Sequence, residues 1–208
     1  MRSEEKYIAY AEKNIVPLIP EANDILRHRF NSEIRLECSK PRIHPPSNYV
    51  GVEWMYTHPK GEKAKRIGKI IVTKGWRWEI VFYVSDSWAI IHFPCKSDPY
   101  YPHHCRGIVP FAIAAFSYAS ANVFDICPDF LYIPYGWCFP FYFTDDSITI
   151  TKTGGIIEFT VSLKFEEACV LLSIEANGLS VKKRVPYGDG NLRGAVKEIA
   201  RAFEISRV

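Results

Sequence analysis

His92, Cys95, His103, His104 and Cys105 form the densest group of metal-capable side chains in this sequence. Imidazole nitrogens and thiolates are the ligands zinc prefers, and the Pro-containing stretch 94–104, read as a loop, would fold back to set Cys95 beside the His-His-Cys end. A zinc held by Cys95, His103, His104 and Cys105 would acidify a bound water and polarise a phosphoryl or carbonyl oxygen. That is the chemistry of a metal-dependent hydrolase or nuclease. The interval from Cys95 to Cys105 departs from the two to four residues that separate zinc-knuckle cysteines.

The same cysteines admit a covalent reading. Cys95 with Cys105, and Cys127 with Cys138, each bracket a loop containing Pro and Tyr, and closing such a loop as an unstrained disulfide contributes ~2–4 kcal/mol. Cys38 and Cys169 fall inside expected strands and read as plain buried thiols.

A second kind of chemistry is suggested by cations. Lys60, Lys63, Lys65 and Arg66 crowd one connection between expected strands, and Lys182, Lys183 and Arg184 stand near the end of the last one. Lys and Arg neutralise phosphates and release counterions, giving nucleic-acid affinity without sequence preference. Tyr100, Tyr101, Tyr132, Tyr135 and Trp137, in loops, are of the type on which unpaired bases stack. The bland reading of the same cations is solvated charge that protects edge strands.

Tyr187-Gly188-Asp189-Gly190-Asn191 opens the last expected helix, where backbone amides bind anions. The segment lacks the Gly-Lys-Ser/Thr end of a phosphate loop, and a turn with Asn191 as cap explains it. Carboxylates suited to acid/base work are Asp125, Asp129, Asp145, Asp146, Glu166 and Glu167, the last two pairs in turns that favour acidic residues. No Ser occupies a nucleophile elbow and no helix carries a His-Glu-x-x-His pattern.

These residues must be positioned by a framework with an internal echo. Arg106-Gly107-Ile108-Val109 leads to Ala115-Phe116 as Arg193-Gly194-Ala195-Val196 leads to Ala202-Phe203. Upstream, Thr73-Lys74-Gly75 precedes the run 78–82 as Thr151-Lys152-Thr153-Gly154 precedes 157–161. The order of the matches implies a duplicated unit, an antiparallel β-meander closed by a helix. The expected fold is α+β, with helices packed on one face of the sheet or sheets. It forms a single domain over 1–208 of two pseudo-repeats, about 19–122 and 123–208, preceded by a helix at 3–13.

Periodicity supplies the elements. A second helix runs from about Pro20 to Phe30 on a stripe of Ala22, Ile25, Leu26 and Phe30. Strands follow at 33–38, 49–57, 67–73, 76–85 and 88–93, with 40–46 as a loop because its three prolines bar it from a central strand. Gly107 to Val123, apolar on nearly all sides, reads as a buried helix. Strands at 139–143, 147–151, 156–163, 168–175 and 179–185 complete the second unit, the last two joined by the hairpin signal Asn177-Gly178. Trp76, Trp78, Ile80, Phe82 and Val84, and in the second unit Ile157, Phe159, Val161 and Leu163, mark the faces turned to the helices, while Arg77, Glu79 and Tyr83, and Glu158, Thr160, Ser162 and Lys164, face solvent or a partner.

Composition bounds the rest. With 208 residues, 48% hydrophobic and 14% aromatic, the chain can bury a sizeable core, and its net charge of +3 permits an anionic partner without demanding one. It has no Gln, two Met and 23 Ile against 9 Leu, a bias that points to a hot environment and to an archaeal or archaeal-virus source. The charged N-terminus and an apolar window no longer than Gly107 to Ala115 fall short of the ~20 residues of a membrane span, so the expected location is the cytoplasm, that of the host if viral. The leading expectation is a non-enzymatic binding or assembly protein with nucleic acid or protein as partner, no membrane partner, and homodimerisation through a sheet edge or the aromatic loops. The alternatives are the His/Cys metal-dependent hydrolase or nuclease, with zinc its only cofactor, and a carrier holding a small ligand in an apolar cavity under the sheet.

Overall fold

The computed structural model describes residues 3–44, 49–57, 64–72, 78–84, 87–93, 101–124, 141–143, 146–152, 159–176 and 178–205. Its opening helix α1 (Ser3–Asn14) has Glu4 and Glu5 in its first turn and Lys13 in its last, each on the side the helix dipole favours. Helix α2 (Leu18–His28) follows after one turn. Pro17, at φ −63°, sets the helical dihedral before α2 begins, and Pro20 sits in a first turn whose N–H groups lack intrahelical acceptors anyway. The helix therefore starts earlier than the periodicity suggests, and Leu18, Ile19, Ala22 and Leu26 form its buried stripe.

A six-stranded antiparallel sheet comes next, built from β1 (Arg35–Cys38), β2 (Arg42–His44), β3 (Tyr49–Thr57), β4 (Lys65–Val72), β5 (Trp78–Val84) and β6 (Ser87–Phe93). Both β1 and β2 lie along the same side of β3, Cys38 opposite Trp54 and Arg42 opposite Gly51. Between them Ser39 N–H donates to Glu53 C=O at 2.8 Å, and Glu53 N–H donates to Ser39 Oγ at 3.1 Å. The stretch expected as a loop thus contributes an edge strand over 42–44. Proline excludes a segment from the middle of a sheet, not from its rim.

The second sheet is a five-stranded meander of β7 (Phe141–Phe143), β8 (Ser147–Lys152), β9 (Phe159–Phe165), β10 (Cys169–Ala176) and β11 (Leu179–Pro186). Ala176 pairs with Leu179, and Gly178 takes the positive φ of 78° that the two-residue connection requires. A meander followed by a helix occurs twice, in two separate sheets. The matched sequence pairs do not align them strand for strand. Hairpin β4–β5 is followed by one strand before its helix, whereas β8–β9 is followed by two.

Helix α3 (Tyr101–Ala119) begins before the expected Gly107 and continues into a π-helical turn, Ser120–Phe124. Every residue from Val109 to Phe124 is buried. Phe116 meets Phe82 of β5 with ring centroids 4.3 Å apart, and Phe111 meets Phe165 of β9 at 5.8 Å. One continuous hydrophobic core therefore takes in α3 and both sheets. Phe30, just beyond α2, lies 5.1–6.0 Å from the rings of Phe111, Tyr118, Phe165 and Tyr187. Helix α4 (Asp189–Ile205) closes the chain and buries Leu192, Val196 and Ile199. No helix among the described residues is long and apolar enough to cross a membrane.

One glycine fixes how the first sheet meets the core. At the register shift between Trp54 and Met55, the Trp54 indole lies across Gly68, where an added Cβ would stand 2.4 Å from Trp54 Cζ2 and 2.6 Å from the Val81 carbonyl. The indole is fully buried, and its N–H has no hydrogen-bond partner among the described residues. Gly68→Ala must displace either a buried ring or a strand, so a loss of about 2–3 kcal/mol is expected in urea unfolding. A loss below about 0.5 kcal/mol would show that the ring moves aside freely.

Candidate functional site

Alternation along β3 separates the two faces of the first sheet. Val50, Val52, Trp54 and Tyr56 are buried, while Tyr49, Glu53 and Met55 are partly exposed on the opposite face. Register carries that outer face across the sheet: Arg42 beside Gly51, Lys69 beside Glu53 and Val81, Arg66 beside Met55. Ile71 and Val81 are buried within it.

Cations and rings are interleaved on this face. The Arg66 guanidinium lies 4.3 Å from the Tyr83 ring centroid and its Nη1 is 3.3 Å from Glu53 Oε1. Lys69 Nζ lies 6.0 Å from the Tyr49 ring, and His44 stacks on Tyr49 with centroids 5.0 Å apart and planes 22° from parallel. His44 also covers Gly51, where a Cβ would meet its Nε2 at 2.9 Å. Each cation–ring contact is worth about 0.5–1 kcal/mol at an exposed site, enough to orient side chains but not to immobilise them.

The predicted basic residues are drawn from both sheets. Lys65 and Arg66 belong to β4 in the first sheet, and Lys182, Lys183 and Arg184 to β11 at the rim of the second, whereas Lys60 and Lys63 lie outside the described residues. On β11, Lys183 pairs with Glu198 of α4, and Arg184 Nε donates to Glu166 Oε2 at 3.1 Å. Hydrogen bonding from Arg184 first, and from the Cys169 thiol second, holds the Glu166 carboxyl below the usual range, while Glu166 raises Arg184 in return. Lys182 is exposed on the outer face. Tyr49 and Lys69, which sequence reasoning missed, were hidden because only strand register shows what they face: Lys69 lies near Tyr49, and Arg66 lies over Tyr83, a ring that alternation already sets on the outward face.

The segment 187–191 is a structural joint. Asp189, not Asn191, begins α4, and Asn191 Nδ2 donates to Tyr187 C=O at 3.2 Å. Asp189 Oδ1 accepts from Ser32 Oγ at 2.8 Å and Asn122 Nδ2 at 3.0 Å, and its Oδ2 accepts from Glu33 N–H at 2.9 Å. Asn122 Oδ1 in turn accepts from Arg193 Nε at 3.0 Å. The Tyr118 hydroxyl donates to Gly188 C=O and accepts from Gly188 N–H, both at 3.1 Å. The negative charge that this helix terminus favours is supplied by the chain itself.

Cys95 lies outside the described residues, and His103, His104 and Cys105 fall in the first turns of α3, whose side chains do too. His92 occupies β6, its side chain likewise outside them. Among the described residues no three His, Cys, Asp or Glu side chains are grouped to hold a metal. Cys38 and Cys169 are free thiols, half-buried rather than fully buried, both pushed up by desolvation. Of the loop aromatics, Tyr100, Tyr132, Tyr135 and Trp137 lie outside the described residues, as do Asp125, Asp129, Asp145, Cys127 and Cys138. Comparison with family models, with curated proteins and with solved structures finds no match for this chain.

Two outcomes test the joint. Asp189→Ala strands the buried Ser32 hydroxyl and the buried Asn122 amide together, so a loss of about 2 kcal/mol or more is expected in chemical denaturation. A loss under about 1 kcal/mol would mean that water replaces the carboxylate. Burial also pushes the Tyr118 hydroxyl well above its ordinary value. Its raised folded pKa favours the protonated form, so the associated stability is intact below about pH 10 and lost as pH rises beyond it. Melting temperature should hold steady to about pH 9 and then fall, less steeply in Tyr118→Phe. Equal slopes would place the alkaline sensitivity elsewhere.

Proposed function

We propose that this chain is a non-enzymatic binding protein that holds single-stranded nucleic acid on the outer face of its first sheet. The observation that carries this reading is the repeated cation-beside-ring arrangement, Arg66 with Tyr83 and Lys69 with Tyr49, on one sheet face. An unpaired strand offers flat bases and a charged backbone. Tyrosines standing on a pleated sheet stack with bases whatever their identity, and neighbouring Arg or Lys neutralise the phosphates between them. His44, parallel to Tyr49, extends that platform toward the rim.

The charge balance supports a moderate affinity. Among the described residues, Arg35, Arg42, Arg66 and Lys69 share this face with Glu37, Glu53 and Glu79, four cations against three carboxylates. The Arg66–Glu53 pair is exposed, so exchanging Glu53 for a phosphate costs little. Stacking therefore carries much of the selectivity for unpaired strands, since a duplex hides its base faces.

Fluorescence anisotropy with a labelled oligo-dT of about 15 nucleotides tests the reading. Binding should weaken as salt rises, with a log–log slope near −0.7 for each phosphate neutralised. Tyr83→Ala should weaken it by about tenfold and Lys69→Ala should lower the slope, with folding unchanged in both. Absence of binding at low salt, or binding indifferent to both substitutions, would overturn it.

A further inference from the structure

The two sheets treat their rims differently. On β1, Asn23 of α2 reaches across so that its Oδ1 accepts from Leu36 N–H at 2.8 Å and its Nδ2 donates to Leu36 C=O at 3.0 Å. One carboxamide thus reproduces what a neighbouring strand would offer, and that rim is closed at Leu36. No comparable cover lies on β11 among the described residues, where β10 is its sole strand neighbour.

Register identifies the groups on that rim. Because Ala176 and Leu179 flank a two-residue connection, they exchange hydrogen bonds, and the pairs then alternate along the ladder. Ser180, Lys182 and Arg184, opposite Glu175, Ser173 and Leu171, fall in the other class, so their N–H and C=O groups point away from β10. All three residues are exposed, and Pro186 ends the row because it has no N–H. Leu179, at the start of the strand, is the one exposed large hydrophobic among the described residues, at 47%.

From this we infer that β11 is a docking strand, which an extended acidic segment of a partner protein joins as a further strand of the second sheet. Side chains of an added strand alternate in step with those of β11. On the outer face they meet Lys182 and Arg184, which select carboxylates. On the other face they meet Leu179 and partly buried Val181, which select apolar side chains, and Lys183, whose ammonium is paired with Glu198. A second copy of β11 is the wrong occupant, because it would set Lys182 and Arg184 against their own kind. Arg184 already holds Glu166 in an exposed ion pair, which shows that this position accepts a carboxylate and can exchange it at little cost.

The test is amide hydrogen exchange on the full chain, free and with a blocked peptide of about eight alternating Glu and Val residues. The N–H groups of Ser180, Lys182 and Arg184 should slow by about tenfold or more at saturation, while those of Val181 and Lys183, bonded to β10 throughout, stay unchanged. A Lys–Val peptide should protect none of them. Lys182→Glu, which leaves Arg184 facing one carboxylate, should abolish the preference between the two peptides. The proposal fails if millimolar Glu–Val peptide leaves the three amides unprotected, or if the Lys–Val peptide protects them equally. It fails also if oligo-dT protects them and the peptide does not, since the occupant is then nucleic acid.

Discussion

A helix stretch buried along its whole circumference leaves its polar side chains no water to bond, and this fold is arranged around that constraint. From Val109 to Phe124 every residue of helix α3 and its π-helical turn is buried, so a polar side chain there, such as that of Asn122, cannot rely on water. Asn122 finds its partner in the Asp189 carboxylate, which also gathers Ser32 and Glu33, while Asn122 holds Arg193. The same contacts tie the end of α2, the end of α3 and the start of α4 into one joint. A half-satisfied network of this kind would be worse than an apolar one, because each abandoned donor in a low dielectric loses its full solvation.

Around that joint the aromatic core does the rest. Phe30 sits among four rings contributed by α3, β9 and the strand–helix connection before α4, and a buried Phe of this kind typically contributes ~3–5 kcal/mol. Arg29, next in sequence, lays its guanidinium 4.8 Å from the Phe111 ring and donates to the Phe165 carbonyl at 3.3 Å. Helix, sheet and polar joint are thus held by adjacent residues of one short segment. Outside that packed interior, the described residues at the margins include the outer face of the first sheet and the rim of the second.

Much of this framework was legible in the sequence. Strand β3 appears with the bounds its alternation implies, and Gly178 announces the last hairpin by the backbone conformation it allows. The class, α+β with antiparallel meanders, follows from the same signals. Less legible was β2, because the rule that excludes proline from sheet centres is silent about rims. The start of α3 was also misplaced, since the polar residues before Gly107 carry no apolar stripe. The basic residues were found by type, yet their grouping was not: Arg66 and Lys182 are alike in sequence terms and sit on different sheets.

Local chemistry in the sequence therefore determined what could form: which segments alternate with period two, which turn is tight, which helix is too apolar to face water. Those properties depend on neighbours within a few residues and survive without knowing the fold. Tertiary structure alone decided which of these pieces meet. That Asp189 serves Ser32 and Asn122, that Asn23 closes the β1 rim, and that Tyr83 lies beneath Arg66 are contacts across long stretches of chain or across strands. They are set by sheet register and by the burial of α3, because a polar group takes whichever partner the surrounding packing brings within reach.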